Sequence, residues 1–87
     1  MKAVITVIGK DKTGIIARVS NVLYENDINI LDISQTIMQD IFTMVMLVDM
    51  SKHTVKAISE KLDDVAEKIG VTIHLQNEEL FSSMHRI

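Results

Sequence analysis

The stretch VIGKDKTGII, residues 7–16, sets an acid, Asp11, between two glycines, Gly9 and Gly14. Glycine permits positive φ and close backbone approach, and an apolar strand pattern runs into the loop while a helical pattern leaves it. Such a loop lies against a helix N-terminus, whose free N–H groups suit an anion. Three readings are open on the residues alone: a phosphate cradle, a site for another small anion, or a tight turn. The glycine spacing is that of a phosphate-binding loop, yet Ile15 and Ile16 stand where Lys and Ser/Thr are required. Without an ammonium for the phosphates and a hydroxyl for magnesium, nucleotide hydrolysis is not expected.

Other chemistries find fewer residues. The histidines are His53, His74 and His85. Their spacing puts no ligand pair on one helix face, so solvated or interface histidines are expected and no metal site. Six methionines suit adaptable packing, since only Met44 and Met46 share a strand phase. Asp63 and Asp64 flank a helical apolar stripe and read as a solvated face. An acylphosphatase needs an arginine in its loop after the first strand, but Arg18 falls inside a helix and Arg86 near the end. No Ser/His/Asp set reads as a nucleophile with its base and orienting acid. The chain is therefore not expected to be an enzyme, and no cofactor is implied.

The elements that would position this loop emerge from periodicity. Residues 2–9 are β-branched and read as a buried central strand. In the next segment Ile15, Ile16, Val19, Val22 and Leu23 form one helical stripe. Thr13 is its expected N-cap, and Asn26 or Asp27 its left-handed end. INILDISQTIM is a second strand whose apolar phase switches between Ile30 and Leu31, which a bulge would produce. Gln39-Asp40 is a short turn into a third strand, IFTMVMLVDM. Ser51 is the expected cap of a second helix carrying Val55, Ile58, Leu62, Val65 and Ile69, closed by Gly70 after Lys68. VTIHLQN alternates cleanly, with Val71, Ile73 and Leu75 inward. The tail, residues 78–87, reads as a short amphipathic helix with Leu80, Met84 and Ile87 on one face and Phe81 beside it, docking on the domain or on a partner.

The order is βαββαβ. Right-handed crossovers interlock it into a ferredoxin-like α+β sandwich, an antiparallel sheet of order 4-1-3-2 with both helices on one face. Such a sandwich leaves one sheet face bare. The third strand is apolar on both sides, with Ile41, Val45 and Leu47 opposite Phe42, Met44, Met46 and Val48. The bare face is expected to be covered by the tail, a second subunit, or both.

Bulk composition agrees with one domain over residues 1–87, core about 2–77. The chain has 87 residues, 47% of them apolar, and lacks Pro, Trp and Cys. A core that small gains from oligomerisation. Net charge is −3 with no basic block, and Phe42 is the sole strand aromatic, so no nucleic-acid partner is expected. No apolar run approaches the roughly 20 residues of a membrane span, and Met1-Lys2 leads straight into a strand, so a cytoplasmic protein without membrane partner is expected.

The segment VIGKDKTGIIARVSNVLYENDINILDISQT resembles the ACT domain, a small regulatory module of amino-acid metabolism. Asp11, Gly14, the Ile-Ile-x-x-Val helix start and INILDIS carry the likeness over about residues 2–76. The ending FSSMHRI and the stand-alone length resemble the bacterial UPF0237 family of single ACT domains. The resemblance implies a homodimer, or a higher homo-oligomer, with an amino acid held between subunits. It places that ligand against Gly9, Asp11, Thr13, Gly14 and Ile15 and against Asn29 on the second strand. Thr13 stands where such loops usually have Pro, and Gly9 where some have His. The chemistry fits in part: N–H groups at a helix start suit a carboxylate, Asp11 an ammonium, and Asn29 either. Equally, Asp11 and Thr13 could cap the helix and Asn29 serve a bend. The second function reading is an interaction module with no small ligand, acting through its apolar sheet face and tail.

Overall fold

The computed structural model describes residues 1–79, so all but the first two residues of the helical tail expected at 78–87 lie outside the described residues. The strands are β1 (Lys2–Lys10), β2 (Asn29–Met38), β3 (Ile41–Asp49) and β4 (Val71–Asn77), and the helices are α1 (Ile15–Glu25) and α2 (Val55–Ile69). They succeed one another as βαββαβ and form one antiparallel sheet of order β2-β3-β1-β4. Both the element order and the strand order are those expected from the periodicity.

The core is where the two periodicities meet. Ala3, Ile5 and Val7 of β1 and Phe42, Met44, Met46 and Val48 of β3 alternate onto the helix side of the sheet. Val19 and Leu23 of α1 and Ile58 and Leu62 of α2 close over them. Apart from Ala3, each of these side chains contributes about 1.5–3 kcal/mol by leaving water. The expected bulge is present, because β2 shifts register against β3 between Ile30 and Asp32. The Gln39–Asp40 turn carries Gln39 at φ 59, and Asp27 ends the α1 turn at φ 58.

Both expected helix caps are displaced. α1 starts from Gly14 at φ 88 with no side-chain cap, so Thr13 does not cap it. The left-handed turn at Gly14 swings the chain before the helix begins, leaving the Thr13 side chain outside the first turn. α2 is capped by Thr54, whose Oγ1 accepts from the Ala57 N–H at 3.2 Å, not by Ser51. Ser51, at φ 56, instead donates its N–H to Asp49 Oδ1 at 3.0 Å in a turn that precedes the helix. His53 has a structural job in the same loop: its Nε2 meets the Asn26 carbonyl at 2.7 Å and ties the end of α1 to the start of α2.

The helices do not reach the full width of the sheet. Every residue of β2 from Leu31 to Met38 is exposed. On the helix side of that strand Ile33 and Ile37 remain 45% and 53% exposed. Ile16, expected within the buried α1 stripe, overhangs this margin and is 38% exposed. No helix among the described residues is long and apolar enough to cross a membrane.

Candidate functional site

The loop between β1 and α1 is held from two sides. The Asp11 N–H donates to the Asp40 carbonyl at 2.7 Å, pinning the loop to the β2–β3 turn. The Lys12 ammonium donates to the Ile69 carbonyl at 3.1 Å, satisfying one of the free carbonyls that end α2. Between those anchors Gly14 adopts its left-handed conformation and α1 departs. With no side-chain cap and no acid in the first turn, the N-terminal end of α1 keeps its partial positive charge uncompensated.

Downstream of the loop, α1 and β2 diverge and leave a groove of about 530 Å³. Asp11, Lys12 and Gly14 form its loop end, Ile16, Ala17 and Ser20 one wall, and Gln35 and Ile37 the other. Ile15 and Phe42, almost wholly buried, make the floor. The arrangement sets charged and N–H-rich surface at one end of an aliphatic trough.

Of the residues expected in a site, Asp11, Gly14 and Ile15 come together at this groove. Gly9 does not line it. It pairs with Phe42 and Val71 inside the sheet, and a Cβ there would meet Val71 Cγ1 at 2.7 Å. Packing against β4 therefore accounts for that glycine. Thr13 is exposed beside the groove without lining it. Asn29 stands opposite Asp49 at the far end of β2, about 30 Å away at roughly 3.3 Å per strand residue. Within one chain it cannot meet the loop.

Sequence reading missed Lys12, Ile16, Ser20, Gln35 and Ile37 as groove residues. Lys12 bonds a carbonyl 57 residues away, a pairing no local pattern reveals. Ile16 and Ile37 did leave a signal, since each is apolar beside residues that already complete the buried stripe.

Comparison with known proteins agrees with the fold. The profile of the ACT domain family matches residues 2–76. A UPF0237 protein from Clostridium acetobutylicum is 57% identical over 89 aligned positions, covering 100% of both chains. Among solved structures, an ACT domain protein from Streptococcus pneumoniae superposes with a TM-score of 0.83 at 39% identity, covering 93% of each chain. The regulatory subunit of aspartate kinase from Thermus thermophilus, in ligand-free form, superposes with a TM-score of 0.70 at 28% identity. That match covers 86% of this chain and 50% of the other.

Proposed function

Because the chain belongs to the ACT domain family, we propose that it is a non-catalytic regulatory module that homodimerises and binds an amino acid where two subunits meet. The observation that carries this reading is the position of the groove. It opens along the uncovered β2 margin, so the surface a ligand would use and the surface a second copy would use are continuous.

β2 is an edge strand, whose backbone groups an antiparallel copy can pair across a twofold axis, with the Ile33 N–H, now held by Asp32 Oδ1 at 2.8 Å, free to change partner. An axis near Ile33 and Ser34 brings the start of one β2 beside the end of the other. Asn29 of the partner subunit then reaches the loop that its own chain cannot reach. The amino acid's carboxylate faces the N–H groups at the start of α1, its ammonium faces Asp11, and Asn29 of the partner subunit closes the polar end. Its side chain lies along Ile16 and Ile37. A ligand bridging two subunits favours the dimer arrangement that holds it and shifts the population toward it. The similarity to a regulatory subunit supports the regulatory part of this reading.

Calorimetric titration with each of the twenty amino acids tests it. Binding of at least one tighter than about 1 mM, roughly −4 kcal/mol, is expected. Heats no larger than dilution across the whole set would instead favour an interaction module that takes no small ligand.

A further inference from the structure

The groove between α1 and β2 changes character along its length, and the order of the change selects a side chain. Both charged residues that line it, Asp11 and Lys12, stand at its loop end. The Lys12 ammonium is already engaged there by the Ile69 carbonyl at 3.1 Å. Next come Ile16 on α1 and Ile37 on β2, on opposite walls above the buried floor of Ile15 and Phe42. Neither Ile16 nor Ile37 belongs to the core cluster, and both stay exposed. Beyond them stand Ser20, one turn further along α1, and Gln35, two residues back along β2.

Two limits follow for whatever lies between those isoleucines. The first is charge. Past the loop end none of the lining residues carries one. An ammonium or carboxylate on a ligand's side chain would leave water there without a counter-charge. The second limit is length. Ile37 and Gln35 are two strand residues apart, about 6.6 Å, and Ile16 and Ser20 four helix residues, about 6 Å. A short branched hydrocarbon fills that span against Ile16, Ile37 and Phe42. A longer or aromatic side chain runs on to Ser20 and Gln35 and covers polar groups that it cannot bond. A single methyl group, or none, leaves both exposed isoleucines in water.

Taking as its premise that this groove is an amino-acid site, we infer that the ligand carries a short branched aliphatic side chain: it is valine, isoleucine or leucine. Ile16 and Ile37 determine that specificity, and Ser20 and Gln35 set the far limit of the side chain. The molecule and the groove then match in the same order, charged head first and hydrocarbon after it.

Calorimetric titration of the full chain with glycine, valine, isoleucine, leucine, norleucine, phenylalanine, lysine and glutamate tests the assignment. One of the three branched amino acids is expected to bind tightest, at least about tenfold tighter than glycine, lysine or glutamate. Norleucine, which has leucine's carbon count without its branch, is expected to bind at least about threefold more weakly than the best of them. Ile16→Ala should weaken that best ligand at least about fivefold while circular dichroism stays unchanged. Should that variant lose its fold, Ile37→Thr alters the opposite wall and is expected to weaken binding by a similar factor. A tightest ligand outside the branched three overturns the inference and leaves amino-acid binding itself in place. Unchanged affinity in the folded wall variant overturns it as well. Heats no larger than dilution across the whole set remove the amino-acid reading, and this inference with it.

Discussion

Gly9 and Gly14 are both glycines for different reasons, and substitution separates them. At Gly9 a methyl group would press on Val71 at 2.7 Å and 2.9 Å, a clash with a branched side chain held in the sheet. Gly9→Ala is expected to lower stability by about 1–3 kcal/mol in urea denaturation through this overpacking. At Gly14 there is room, the nearest atom being Arg18 Nε at 3.9 Å, and only φ 88 resists a side chain. Gly14→Ala should cost about 1–2 kcal/mol for backbone conformation alone, with Gly14→Asn milder because Asn tolerates that region. An equal loss from Ala and Asn at position 14 would mean that steric crowding, not φ, governs it. The sequence announced both glycines as special, but not which was a packing demand and which a hinge of the loop. That distinction rests on Val71, 62 positions further along the chain.

The elements themselves were legible because period 2 and period 3.6 each separated apolar from polar residues. The phase switch in β2 even located its bulge before Asp32. The caps were not legible in the same way. Several Ser and Thr residues precede each helix, and which of them caps depends on the turn that delivers the chain. The consequence is measurable. Thr54→Ala removes the bond to the Ala57 N–H and should cost about 1 kcal/mol. Thr13→Ala removes no cap and should stay within about 0.5 kcal/mol of the parent by chemical denaturation. A substantial loss at Thr13 would show that it does support α1. The width of the helical layer also escaped the sequence. Ile16 continues the apolar stripe of α1, yet the sheet beneath it runs out to a β2 margin that neither α1 nor α2 covers.

For the whole molecule that narrow layer is the informative feature. An exposed edge strand with Ile33 and Ile37 on one side is a surface that water tolerates poorly. Light scattering at about 10 µM is expected to give twice the monomer mass or a multiple of it. Ile37→Asp should reduce it to the monomer without a large loss of unfolding stability, since Ile37 lies outside the core. A monomeric parent protein, or an Ile37→Asp variant that stays associated, would remove the β2 margin from the account. Asn29 is the residue for which whole-molecule geometry matters most. Only the proposed dimer would bring it to the loop, because in its own chain it sits at the wrong end of β2.

The most direct measurement is an amide chemical-shift titration of the isotope-labelled protein with the twenty amino acids. The account predicts, for at least one of them, saturable shifts concentrated at Asp11, Gly14, Ile15 and Ile16 together with Asn29, Gln35 and Ile37. Shifts confined to the far end of α2, or a spectrum unchanged by all twenty, would contradict it.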